Sequence, residues 1–364
     1  MYSQNDLDEA VAAGAVTPEA AASLRAYVDR QRSSPAVDEE YFRLITGFND
    51  IFVSIAAAIL LFAVGWIGQS IGQNLGFTVD QSGPSPLAPA LIAATAWGLA
   101  LFFTARRRMA LPSIILLLAF VGGVAASVGF TLVSLFGNPE LEAGQQALTA
   151  GLIGAGAASA GAISAFAHWK RFRVPITVAA GAASVAGIVV ALIAAAIGDT
   201  PNTGNIVLGV VLLLGLGVFL YAMRWDSSDP ARISRRSDVA FWLHLLAAPM
   251  IVHPVFTLLG LNDGNASVGE GLVVIAIYIA LGVAALAIDR RALLVSALAY
   301  VLFALNELFE QFGAVSLNIA LTALVIGSAL LLLSAFWHQA RAAVVARLPG
   351  SLRGHLPSLS PQPA

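Results

Sequence analysis

The chain has no cysteine, a single lysine and charged residues at only 11% of its positions. Without cysteine there are no disulfides, no thiolate metal ligands and no thiol nucleophile. A soluble domain carries about 25% charged residues, so most of this surface is expected to face lipid. The net charge of −2 lacks the basic balance that a nucleic-acid partner requires. The first 45 residues are polar and have no apolar core, so no cleavable signal peptide is expected. There is no phosphate-binding glycine loop, no HExxH-type spacing and no Ser-His-Asp arrangement. Nothing therefore points to a cofactor or a resident metal, no catalytic residue is assigned, and an enzyme is the least supported class.

What fills the chain is apolar sequence. Of 364 residues, 58% are hydrophobic, and the mean hydropathy is +0.83. A bilayer core about 30 Å thick takes roughly 20 apolar residues per helix. Ten such stretches are read, near 50–72, 87–105, 112–136, 145–167, 174–198, 205–223, 239–260, 269–288, 292–309 and 315–337. The expected fold is all-α, a polytopic membrane protein of about ten helices over residues 46–340. Residues 1–45 form a cytoplasmic helical hairpin and linker, and 341–364 a Pro-, Ser- and Arg-rich tail that reads as disordered.

The basic residues set the expected orientation. They fall in the N-terminal segment (Arg25, Arg30, Arg32, Arg43), after the second stretch (Arg106 to Arg108), after the fourth (Lys170, Arg171, Arg173), after the sixth (Arg224, Arg232, Arg235, Arg236), after the eighth (Arg290, Arg291) and in the tail (Arg341, Arg347, Arg353). The loops after the odd-numbered stretches carry none, and hold Asp80, Glu140, Glu142, Asp199, Asp263 and Glu270 instead. Cytoplasmic loops concentrate Lys and Arg, so both termini are expected in the cytoplasm. All basic residues but Lys170 are arginine, which with the Ala and Gly richness points to a GC-rich bacterial genome.

Near the N-terminus, Leu7, Ala10 and Val11 fit one face of a short helix that Gly14 can end. Thr17 then caps a second helix, with Pro18 at its first position and Ala20, Leu24, Tyr27 and Val28 on one face. This hairpin, LDEAVAAGAVTPEAAASL, followed by many apolar helices, resembles a family of bacterial predicted integral membrane proteins of unknown function. The likeness covers about 30 residues closely. It implies an inner-membrane location and brings no activity or site residue with it.

Two segments recur. ALTAGLIG at 147–154 and ALTALVIG at 320–327 agree at six of eight positions, and SAFAHWKR and SAFWHQAR follow them. The third and ninth stretches start after RRRMALPS and DRRALLVS, and the first and seventh start at NDIFV and SDVAF. Asp50 thus aligns with Asp238, and His168 with His338. The first four stretches look like the last four in the same membrane orientation, a parallel rather than inverted repeat. Asp50 and Asp238 read as helix-start acids, favoured by the macrodipole. His168 and His338 read as boundary anchors beside tryptophan.

Subtracting one copy from the other isolates what the second adds. His244 stands against Ala56, His253 against Gly65, Glu307 against Val124 and Glu310 against Ser127. Ionisable groups inside a membrane are functional hypotheses by default. His253, Glu307 and Glu310, with Asn306 and His244, are the candidate polar or ion site. Pro249 and Pro254 interrupt the seventh stretch there and free carbonyls that can line a polar cavity. The first functional expectation is a small-solute or proton-coupled carrier. The competing one is a non-transporting scaffold or assembly factor acting through the hairpin. The expected partners are the lipid bilayer and a protein docked on the hairpin.

Overall fold

The computed structural model describes residues 10–24, 48–80, 83–137, 140–229, 234–260, 268–291, 294, 295, 297, 298, 301, 302, 305, 318–353 and 356. It divides into two compact units, Met1–Phe42 and Arg43–Ala364. In the first, residues 10–12 close a helix at Gly14, whose φ of +71° only glycine adopts freely. The Thr17 hydroxyl accepts a hydrogen bond from the Ala20 N–H at 3.2 Å. Residues 18–24 are helical, and Ala21 is fully buried. This is the turn-and-cap chemistry that Gly14, Thr17 and Pro18 encode.

The second unit is a succession of helices: α1 (Phe48–Asn74), α2 (Leu87–Phe103), α3 (Ala110–Phe136), α4 (Ala143–Phe172), α5 (Ile176–Ile197), α6 (Thr203–Ser227), α7 (Arg235–Leu258), α8 (Val268–Ile288), α9 (Asn318–Ala335), α10 (Trp337–Arg347) and the short α11 (Gly350–Arg353). Among the described residues, seven helices (α1 and α3 to α8) are long and apolar enough to cross a membrane. Apolar α2 has 17 residues, and α9 and α10 are a bent pair meeting at 77°. Most of the ninth expected stretch lies outside the described residues; its described residues between 294 and 305 are helical. Large apolar side chains cover the outward faces: Phe62 is 71% exposed, Trp66 70% and Leu213 69%. No soluble surface carries such a continuous apolar mantle. The chain is a multi-pass membrane protein.

Consecutive helices α1 to α5 pack in turn, α3 also touches α1, and α6 pairs closely with α7. Small residues make this packing tight, as lipid supplies no hydrophobic drive between helices. On α1, Gly65, Gly68 and Gly72 lie on one buried stripe. A Cβ at Gly68 would meet the Ala88 backbone at 2.8 Å. The GLIGAGAASAGA run of α4 packs on α5, with Gly151 against Ala191 and Ala195. Gln69 clamps the first loop: its Nε2 donates to the Gly83 carbonyl at 3.0 Å, and its Oε1 accepts from the Ser85 N–H at 2.7 Å.

Each end of the chain has its own core. Ala57 and Leu61 (α1), Ala96 and Ala100 (α2) and Leu116 (α3) form one. Val252 and Phe256 (α7), Val274 (α8), Ala297, Val301, Leu305 and Ile326 (α9) form another. The recurring landmarks sit in different surroundings in the two halves. Asp50 is buried and Asp238 exposed, though each lies in the first turn of its helix. His168 is fully buried and His338 exposed, with Trp337 taking the buried place beside it. The helix runs straight through SAFAHWKR but breaks at Phe336 within SAFWHQAR.

Candidate functional site

The structure gathers an acid, a histidine and an arginine where α6, α7 and the end of α8 meet. Asp226 sits in the last turn of α6, where the helix dipole disfavours an anion. It is nonetheless buried, at 2% exposure, so cationic or donor partners must hold it. Two structural features deliver them. Asp229 accepts from the N–H and hydroxyl of Ser234, at 2.9 and 2.7 Å. Ser234 itself caps α7 by accepting from the Arg236 N–H. The Asp229–Ser234 contact thus links the end of α6 to the start of α7, and further along α7 His244 lies against Asp226. At the end of α8, Asp289 adopts a left-handed φ of +58°, and the Arg290 N–H turns back to the Ala285 carbonyl at 2.9 Å. Asp tolerates that conformation better than most residues, and it sends the Arg290 side chain inward.

The contacts are close. His244 Nε2 lies 2.9 Å from Asp226 Oδ2. Arg290 Nη2 donates to Asp226 Oδ1 at 2.5 Å and Arg290 Nε to Oδ2 at 3.3 Å, a two-point grip that only a guanidinium makes. Nη2 also reaches the Ser237 carbonyl at 3.2 Å. His244 is fully buried and Arg290 is 2% exposed; the Phe219 ring stands edge-on to the imidazole at 5.2 Å. An ionised carboxylate only accepts hydrogen bonds, so the proton of a neutral His244 must be on Nε2. In that state the formal charges of Asp226 and Arg290 cancel.

Of the residues singled out in sequence, His244 is thus at the centre of a buried cluster. His253 is not: it lies about two and a half turns further along α7, on the opposite face, and is exposed. Asn306, Glu307 and Glu310 lie outside the described residues. Pro249 and Pro254 both sit inside a continuous α7. Pro254 offers no N–H to the Met250 carbonyl, and there Gly215 of α6 packs directly on the Met250 backbone, 2.9–3.0 Å from where a Cβ would stand. The freed Met250 carbonyl thus lies against Gly215 of α6.

Sequence reasoning passed over Asp226 and treated Arg290 as a loop charge. Two signals bear on them in retrospect: Asp226 is an acid in a connection otherwise rich in arginine, and Asp289 is an acid in front of the Arg-Arg pair where the first copy has Arg106. The positions that the sequence alignment sets against His244 and Arg290, Ala56 and Arg107, are exposed. A second buried histidine, His168, hydrogen-bonds Thr177 at 3.2 Å through Nδ1 and is enclosed by Trp97, Phe120 and Phe172. That is a packed aromatic site rather than a charged one. Among the described residues no group of three metal-binding side chains forms.

Compared with protein-family models, with curated proteins and with solved structures, the chain matches none. The site's chemistry therefore rests on its geometry.

Proposed function

We propose that this membrane protein is a proton-coupled carrier of small solutes, and that Asp226, His244 and Arg290 form its proton-responsive latch. The observation that carries the reading is the complete burial of three ionisable groups at a three-helix junction. Such groups are costly in a membrane and mark ion or proton pathways. Histidine is the side chain whose charge changes most readily near neutral pH. Protonating His244 at Nδ1 turns a neutral cluster into one with a net positive charge. A buried uncompensated charge is strongly unfavourable, so the junction must then open to water or admit an anion. An anionic solute entering with the proton restores neutrality, which makes small organic anions the favoured substrate class. The expected parallel repeat supports a carrier, since two packed halves can rock about a shared site. From the sequence, His253 with Asn306, Glu307 and Glu310 is a separate candidate ion site of such a carrier.

The resemblance to bacterial membrane proteins and the one-sided arginine distribution support an inner-membrane location with both termini cytoplasmic. The test is solute-driven proton movement in proteoliposomes, followed by a trapped pH-sensitive dye against a panel of small anions and neutral solutes. The carrier reading expects acidification of the lumen on adding at least one anion, abolished by His244→Gln and by Asp226→Asn in protein that still elutes as a single folded species. Absence of movement with every solute transfers preference to the second reading, a scaffold working through the N-terminal hairpin. The compact, well-capped unit at residues 10–24 favours that alternative, and it requires that removing residues 1–42 abolish partner capture.

A further inference from the structure

Beside the α8 end, but apart from the Asp226 cluster, lies a cavity of about 130 Å³. Its walls are aliphatic: Leu294 and Leu298 on one side, Leu330 and Leu333 of α9 on the other. Its rim is different. The Arg291 guanidinium lies 4.7 Å above the Trp337 ring centroid. Trp337 is 2% exposed, and its indole N–H donates to Asp289 at 2.8 Å. Arg341 Nε stands 3.7 Å from the same carboxylate. The Tyr278 hydroxyl is buried against this cavity with no hydrogen-bond partner among the described residues. Val295, at 64% exposure, marks where the cavity opens on the outer apolar surface.

We infer that this cavity is a binding site for an anionic phospholipid, with one acyl chain between Leu298 and Leu330 and the phosphate at Arg291. Three features converge on that occupant. A cavity of this size accepts a benzene-sized apolar group, which matches a segment of acyl chain. It opens on the surface that faces lipid. Its polar rim is at the membrane face bearing the arginine-rich loops, where a cationic side chain favours anionic headgroups. The 77° break between α9 and α10 falls at Phe336, directly before Trp337. The site does not depend on the carrier reading.

The test uses the full-length chain in neutral detergent micelles. Its melting temperature is followed while short-chain phosphatidylglycerol, phosphatidylcholine of equal chain length, or inorganic phosphate is added. A ligand that binds the folded state raises Tm with concentration. The expected result is a rise with phosphatidylglycerol, a smaller one with phosphatidylcholine and none with inorganic phosphate. Arg291→Gln should weaken the phosphatidylglycerol response about fivefold in apparent affinity, the worth of one cation near an anionic lipid. Leu298→Trp should remove it by filling the cavity. Should Leu298→Trp fail to fold, Val295→Trp blocks the exposed mouth instead. Equal responses to both lipids overturn the headgroup assignment, an equal response to inorganic phosphate overturns the lipid, and an unchanged response in the cavity-filling variant overturns the site.

Discussion

Arg290 grips Asp226 across 64 residues of sequence, with Nη2 2.5 Å from Oδ1 and Nε 3.3 Å from Oδ2. The pair ties the end of α6 to the end of α8, and His244 completes it from α7. Removing one member of a buried ion pair leaves the other charge uncompensated, which costs about 3–5 kcal/mol, whereas replacing both by apolar residues can be neutral. Arg290→Met and Asp226→Leu should each lower stability by about that amount. The double variant should be more stable than either single one. Denaturation of the three variants and wild type in micelles completes the cycle; simple additivity would mean the contact is not energetically coupled.

The meeting of Gly215 with the Met250 backbone leaves no room for a methyl group. Gly215→Ala gains about 0.5–1 kcal/mol of helix propensity but forces backbone apart, and overpacking typically costs about 1–3 kcal/mol. The steric term should win, so a lower melting temperature is expected. Gly209 and Gly217, on the same helix, have open space at their Cβ positions. Alanine there should leave stability unchanged or raise it slightly. A uniform response at all three positions would contradict the close α6–α7 approach.

Gln69 makes two hydrogen bonds to the loop before α2, one to Gly83 and one to the fully buried Ser85. Gln69→Leu withdraws both partners. Leaving a buried N–H unsatisfied costs about 1–3 kcal/mol. Hydrogen exchange should speed up at residues 83–87 and stay unchanged in α5, a contrast that mass spectrometry of peptides can read.

The absence of native cysteine makes accessibility scanning direct. If the arginine-bearing loops are cytoplasmic, Glu140→Cys and Thr200→Cys should react in intact cells with a membrane-impermeant maleimide. Arg107→Cys and Ser228→Cys should react only after permeabilisation. Labelling of Arg107→Cys together with Thr200→Cys in intact cells would refute the expected orientation.

Membrane insertion was determined by the sequence alone, because about 20 apolar residues in a row have no other stable environment than lipid. Turn and cap positions such as Gly14 and Thr17 were equally legible, since their chemistry acts within a few residues. The repeated Arg-Arg and SAF-x-His landmarks were visible too, but not their surroundings: Arg107 is exposed while Arg290 is buried, and His168 is enclosed while His338 is not. The tertiary structure decided these differences. Which charges are buried depends on contacts between segments remote in the chain, here α6 delivering Asp226 to residues of the last four stretches. Depth along one helix placed His244 and His253 together among intramembrane candidates. Only the packing of α6 on one face of α7 separated them, because residues two and a half turns apart on a helix point in opposite directions.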